Sequence, residues 1–186
     1  MTTHEVQDKI IERLCEKSFA AFCTNTTVLA HEADVLGINS SGVIYEFEVK
    51  ISRGDFLQEF KSKVKKHKLY SEGKYTHRTH GHGERSKIME VVIDVPNRYY
   101  FACPEGMIRL DEVPSYAGLI YVSAEGTREV KKAPMLHTVK ANEVLLRNLV
   151  KILSYRLVVG CSYGKYKHEQ RNSSVTHANS TTTPNL

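Results

Sequence analysis

Apolar residues recur at two periods along this chain, and the switches between them mark out its elements. Val6, Ile10, Ile11 and Leu14, with Ala21 beyond them, keep helical spacing and predict a first helix over residues 4–22. Residues 26–30 read as a short strand. Strict alternation then runs through two segments joined by Ser40-Ser41-Gly42, which predicts an antiparallel hairpin. Ala33, Val35, Val43, Tyr45, Phe47, Val49 and Ile51 form its apolar face. Ser52 can cap a following helix that turns Phe56, Leu57, Phe60 and Val64 inward and its lysines outward. Strands are expected at 88–95, 98–102, 119–122 and 128–132, with breaks at Pro96-Asn97 and Glu125-Gly126. Val144, Leu145, Leu149, Ile152, Leu153 and Leu157 make one stripe, so a closing helix over 140–158 is expected to pack on the sheet. Periodicity alone therefore indicates one α/β domain.

The hairpin carries the chemistry. A three-residue loop ending on a left-handed glycine fits Gly42 and pairs Asn39 with Val43. Counting outward puts Asp34 opposite Glu48 and Glu32 opposite Lys50. Glu46, Glu48 and Lys50 then share a face with Asp34. Facing carboxylates repel unless a cation lies between them, and a hard divalent ion suits an all-oxygen donor set. A metal on two carboxylates beside a lysine is equipment for phosphodiester hydrolysis. The metal polarises the phosphoryl oxygen and acidifies water, and the ammonium offsets transition-state charge. A solvated face of a half-buried sheet would show the same residues.

Charge strengthens the first of these readings. Nine lysines and arginines lie between Lys61 and Lys87 against Glu72 and Glu84, so this segment carries +7 and leaves −2 of the chain's net +5 elsewhere. Such a patch is the footprint expected for a polyanion, nucleic acid above all, although a solvated helix face can also be lysine-rich.

The stretch from Ala33 to Phe56, ADVLGINSSGVIYEFEVKISRGDF, resembles the PD-(D/E)XK nuclease superfamily, and within it the MmcB-like DNA-repair endonucleases and related phage and bacterial proteins. Asp34 matches the motif aspartate, Glu48 its second acid and Lys50 its lysine. The likeness continues through Ser52-Arg53-Gly54-Asp55-Phe56 and Lys65-Lys66-His67-Lys68, and resumes at 97–108, 115–122 and 130–134. It covers roughly residues 1 to 158. Ala33 stands where the motif has proline, and residues 70–87 look like an expansion outside the likeness.

The resemblance implies a restriction-endonuclease-like core, a mixed central sheet flanked by helices. It also implies hydrolysis of DNA phosphodiester bonds with Mg²⁺, for which Mn²⁺ would substitute. Asp34 and Glu48 hold the ion, with the Val49 carbonyl as a third protein ligand, and Lys50 orients or deprotonates water. Glu12 on the first helix, Glu32, Glu46 and Asp55 are accessory candidates. Asp55 reads equally well as an ordinary acid at a helix N-terminus. Lys61, Lys65, Lys66 and Lys68 are expected on the DNA backbone, with Ser52 and Arg53 near the scissile bond. The alternative is a non-catalytic DNA-binding or repair accessory module on the same fold. Two-strand cutting would favour a symmetric homodimer.

Length and composition suit one domain over residues 1–160 and a disordered Ser/Thr/Asn-rich tail over 161–186. Residues 70–87, with His77, His80 and His82, read as a long exposed basic loop; the histidines lack the spacing of a zinc site. Cys15, Cys23, Cys103 and Cys161 have no C-x-x-C spacing. Tyr99, Tyr100 and Phe101 read as core, and Cys103 as a buried small residue. No apolar run approaches the ~20 residues of a membrane span, and the polar N-terminus lacks a signal segment. The expected setting is the cytoplasm.

Overall fold

A computed structural model describes residues 1–72, 77–80, 88–91 and 93–159, with backbone alone at 77–80 and 88–91. The expected tail at 161–186 lies outside the described residues. The chain divides into two compact units, Met1–Asn148 and Leu149–Leu186. The first is α/β, a six-stranded mixed sheet flanked by helices.

Helix α1 (Thr3–Glu16) starts from a capping box: the Glu5 N–H donates to Thr2 Oγ1, and the Thr2 N–H returns a 2.6 Å bond to Glu5 Oε2. Val6, Ile10 and Leu14 bury one face. The helix ends six residues before the expected limit of 22, because Ser18 enters the left-handed region at φ +53° and ends it. The chain then enters β1 (Ala21–Thr26), so the strand expected at 26–30 lies earlier.

Strands β2 (Ala33–Ile38) and β3 (Ile44–Val49) form the hairpin in the expected register, Val35 with Phe47 and Gly37 with Tyr45. The turn chemistry fixes it. Asn39 Oδ1 accepts from the Ser41 and Val43 N–H groups, the Asn39 N–H donates to the Val43 carbonyl at 3.1 Å, and Gly42 adopts φ +78°.

Helix α2 (Arg53–Ser62) is capped by Ser52, whose Oγ accepts the Asp55 N–H at 3.1 Å. It breaks at Lys63 (φ −112°, ψ 39°), and α3 (Val64–Glu72) begins at the next residue. The expected single helix is corrected by this break. Leu57 and Val64 are exposed, and Lys66, His67 and Tyr70 turn inward in their place.

The expected loop at 70–87 is likewise partly ordered structure. Tyr70 to Glu72 belong to α3, and β4 (His77–His80) pairs with β5 (Ile88–Val91) in a separate two-stranded sheet. Residues 73–76 and 81–87 lie outside the described residues, as does His82.

Strand β6 (Arg98–Pro104) runs parallel to β3, and β7 (Ala117–Ser123) parallel to β6. A 3₁₀ turn, Leu110–Glu112, lies between them in sequence. β8 (Gly126–Lys131) returns antiparallel to β7, giving the order β1-β2-β3-β6-β7-β8. Asn97, expected only as a break, is a buried clamp. Its Oδ1 accepts the Ile44 N–H at 2.7 Å, and its Nδ2 donates to the His137 and Val139 carbonyls.

Both sheet faces are covered. One carries Val35, Phe47, Val49, Tyr100 and Ile120 against α1. The other carries Tyr99, Phe101, Cys103 and Leu119 with Phe56 of α2 and Tyr70 of α3. On the hairpin's apolar face Ala33, Val35, Phe47 and Val49 are core as expected, whereas Val43 and Tyr45 are half-buried and Ile51 is 42% exposed. Residues 143–159 are helical; Leu145 and Leu149 are buried, whereas Leu153 and Leu157 are exposed. No helix among the described residues is long and apolar enough to cross a membrane.

Gly118 lets the Tyr100 ring lie against β7. An added Cβ would meet Tyr100 Cδ1 at 2.5 Å and the Ala133 nitrogen at 2.7 Å. Gly118→Ala is therefore expected to lower stability by about 1–3 kcal/mol, the usual cost of overpacking, read as a lower urea midpoint.

Candidate functional site

The hairpin register, continued one step beyond Val35 and Phe47, sets Asp34 across from Glu48. Asp34 Oδ2 accepts the Val49 N–H at 2.7 Å, so the carboxylate is tied to β3 itself. Gln7 of α1 donates from Nε2 to the Asp34 carbonyl at 3.1 Å and to Asn25 Oδ1 at 2.8 Å, which steadies the backbone behind it.

The face carrying Glu46 and Glu48 is buried by α2 and α3, and three lysines accompany the acids into the interior. Lys50 Nζ donates to Glu48 Oε1 at 3.0 Å and to Glu59 Oε2 at 2.8 Å. Lys63 Nζ lies 2.6 Å from Glu48 Oε1 and 3.1 Å from Glu59 Oε2. Lys66 Nζ lies 2.8 Å from Glu46 Oε1 and 2.5 Å from Glu48 Oε2. Tyr70 donates its hydroxyl proton to Glu46 Oε2 at 2.7 Å. His67 Nε2 lies 3.5 Å from Glu59 Oε1, and its Nδ1 is 2.8 Å from the Tyr116 hydroxyl. Every member of the lysine–glutamate cluster is buried except Lys63, whose side chain is 39% exposed.

Burial alone would raise every carboxyl and lower every lysine here, and the ion pairs decide which groups escape that. Glu48 ends below the usual carboxylate range because the charges of Lys66 and Lys50 outweigh its burial. Glu59 also ends well below, through the adjacent His67 ring and the hydrogen bond and charge of Lys50. Lys66 is held above the usual lysine value despite burial by Glu46 and Glu48. Asp34 is raised, first by burial and then by the charge of Glu48. Glu46 is also raised, because burial exceeds the help of Lys66 and Tyr70.

The four accessory candidates fare differently. Asp55 Oδ1 lies 3.6 Å from Lys50 Nζ, and its backbone N–H is held by Ser52 in the first turn of α2. Glu46 is part of the cluster. Glu12 is not: it is exposed and paired with Lys9 at 2.8 Å, on a helix that covers the opposite face of the sheet. Glu32 is exposed and makes no ion pair with Lys50, whose ammonium is taken by Glu48 and Glu59.

Lys61, Lys65 and Lys68 are exposed as expected. Lys66 is a correction. It is wholly buried as the counterion of Glu46 and Glu48, seven residues on from the equally buried Glu59 and so on the same helical face. Ser52 is occupied as a helix cap, and Arg53 forms a bidentate pair with Glu112. Glu59, Lys63, His67, Tyr70 and Tyr116 were not singled out from sequence. The only signal available was Glu59 four residues before Lys63. Cys103 is buried, and burial pushes its thiol up to about 11, which suits an inert packing residue.

Asp34 and Glu48 offer carboxylate oxygens, and Asp34 has no ion pair among the described residues. Its proton affinity is raised first by burial and second by the charge of Glu48. That donor set fits a hard divalent cation. The Glu48 oxygens are already held by lysines, so an incoming ion would compete chiefly with the half-exposed Lys63. No group of three His, Cys, Asp or Glu side chains suited to a metal occurs among the described residues, which leaves the Val49 carbonyl as the remaining protein donor.

No family model matches the chain, and no curated protein matches it. Among solved structures it is similar to the SPO1766 protein of unknown function from Silicibacter pomeroyi. The TM-score is 0.55 with 20% identity, covering 81% of this chain and 86% of that one. The likeness is one of fold.

Two stability effects follow. Lys66→Met would strand Glu46 and Glu48 without their shared cation, and a loss of about 3–5 kcal/mol is expected in urea unfolding. Asp34→Asn keeps an acceptor for the Val49 N–H but removes a charge the fold disfavours. A carboxyl whose folded value is raised depresses stability above that value, and the penalty disappears below the unfolded ~3.9. Asp34→Asn should therefore be more stable than the parent at pH 7 and lose that advantage near pH 3, in melts taken across that range.

Proposed function

We propose that this chain is a divalent-metal-dependent nuclease that hydrolyses DNA phosphodiester bonds. The role fits an endonuclease of DNA repair, recombination or phage DNA processing. The observation that carries the reading is the in-register pair Asp34 and Glu48, with the Lys50 ammonium 3.0 Å from Glu48. The order helix, three antiparallel strands, helix, parallel strand agrees with a restriction-endonuclease-like core and with the sequence resemblance to the MmcB-like group.

Asp34, Glu48 and the Val49 carbonyl would hold Mg²⁺ or Mn²⁺. The ion, when bound, supplies Lewis-acid polarisation of the scissile phosphate and lowers the pKa of water. Lys50, shared between Glu48 and Glu59, offsets charge on the phosphate and orients the attacking water. Glu59 and Asp55 fix the ammonium in that place. Lys61, Lys65 and Lys68 give exposed positive charge along α2 and α3 for backbone contacts. Cutting both strands would call for a symmetric dimer that presents two such sites.

A second reading draws on the lysine occupancy of Glu48. If Lys63 and Lys66 never yield that carboxylate, the fold serves as a non-catalytic DNA-binding or repair accessory module. Supercoiled, linear, single-stranded and junction DNA should be incubated with the protein in Mg²⁺ and in Mn²⁺. The nuclease reading expects cleavage that falls by about 100-fold or more in Asp34→Ala and Lys50→Ala. DNA binding that is indifferent to either ion, with no product, would establish the accessory module instead.

A further inference from the structure

A cavity of about 340 Å³ opens on the sheet face opposite the lysine–glutamate cluster. Arg13 comes to it from α1, Lys17 from the residue after that helix, Arg98 from the start of β6, and Lys132 from the residue after β8. One carboxylate, Glu129, lines it, and that group is already taken by Arg13 at 3.1 Å. Arg98 donates to the Ala133 carbonyl and keeps its charge. Lys17 and Lys132 are exposed and have no ion pair among the described residues. The site therefore carries positive charge that the protein does not neutralise.

Its inner wall is aromatic. Tyr45, Phe47 and Tyr100 project from β3 and β6 with ring planes 11° to 19° apart, and Phe19 meets Tyr45 edge-on with centroids 4.9 Å apart. Tyr45 and Phe19 are only partly buried, so protein does not cover them fully. A bare inorganic anion would leave these rings unused, and a hydrocarbon would leave the cations unused. Both are satisfied by a flat aromatic body joined to an anionic group. The volume falls at the small end of ligand pockets, about 300–1,000 Å³, which suits one ring system with one phosphate.

We propose that this cavity binds a nucleoside monophosphate, with the phosphate on Lys17, Arg98 and Lys132 and the base against Tyr45 and Phe19. The ligand is a free nucleotide or the 5′-terminal nucleotide of a strand; the chemistry recognised is the same. The site lies on the other face of the sheet from Asp34 and Glu48, and the proposal does not depend on cleavage.

The full chain should be titrated with adenosine 5′-monophosphate, adenosine, inorganic phosphate and a 5′-phosphorylated single-stranded oligonucleotide. With no tryptophan in the chain, calorimetry and tyrosine fluorescence give the readout. The expected result is saturable monophosphate binding with Kd below about 1 mM, and binding about tenfold weaker to adenosine and to phosphate alone. Lys17→Ala and Lys132→Ala, both at exposed positions, should each weaken it several-fold, and Tyr45→Ala should weaken the monophosphate more than inorganic phosphate. Comparing the free nucleotide with the oligonucleotide then identifies the source. Absence of saturation up to about 10 mM for the monophosphate and the oligonucleotide, or equal binding of phosphate alone untouched by the lysine variants, would overturn the proposal. Asp34→Ala should bind as the parent does, so a failed cleavage assay leaves this result standing.

Discussion

Burying Glu46, Glu48 and Glu59 beneath two helices is the constraint on which the rest of this structure depends. Ionised carboxylates leave water only at a cost of several kcal/mol each unless cations go with them. Lys50, Lys63 and Lys66 are those cations, each within 3.0 Å of at least one of the glutamates. The surroundings raise the stakes, since Phe56, Tyr70, Tyr99 and Phe101 exclude water from the same layer. Lys66 lies over the Tyr99 and Tyr70 rings at 5.1 and 5.7 Å, a position that favours the charged ammonium. Glu59, Lys63 and Lys66 follow one another at spacings of four and three residues, so α2 and α3 present their charges to the same buried layer.

The cluster sorts its acids into two kinds. Glu48 is driven below the usual range by lysines and Glu59 by His67 and Lys50, whereas Asp34 and Glu46 are driven above it by burial. Groups whose proton affinities are pushed apart in one cleft are the arrangement expected where chemistry is done. A purely structural network would gain by pairing Asp34 as well. Instead Asp34 is fastened by a backbone N–H and steadied from behind by Gln7, a rigid mounting for a carboxylate left electrostatically unsatisfied. Lys63 is the one lysine with an outlet to solvent, so it can leave Glu48 at least expense.

Legibility in the sequence followed local chemistry. The register of β2 and β3 was readable because Asn39 and Gly42 dictate the turn, and one turn fixes every facing pair along the hairpin. Asp34, Glu48 and Lys50 were placed on one face for that reason. The Ser52 cap and the inward Tyr99 and Phe101 were equally local signals. What could not be read depended on chain reversals that no residue announces. Ser18 ends α1 with a left-handed angle usually left to glycine or asparagine. Leu57 and Val64 marked the wrong inward face after Ser52; the buried one runs through Phe56, Glu59, Lys66, His67 and Tyr70, three of them polar or charged enough to read as surface. Glu59 was hidden among lysines as an ordinary i, i+4 partner, and only tertiary packing brings it to Lys50.

The central strands have a further consequence. Side chains alternate along β3, so Glu46 and Glu48 enter the lysine cluster while Tyr45 and Phe47 enter the aromatic wall behind it. β6 divides likewise, Tyr99 and Phe101 to one side and Tyr100 to the other. Two chemically unlike surfaces thus share one pair of strands and no side chains. A one-residue slip of β3 would drive two aromatic rings into the space now filled by lysines and set two glutamates against α1. That penalty is borne on both faces at once, so the Asn39–Gly42 turn and the Asn97 clamp on Ile44 guard both surfaces together. The acids at the centre of this fold are tolerated because the strand that carries them is anchored by aromatic packing on its other side.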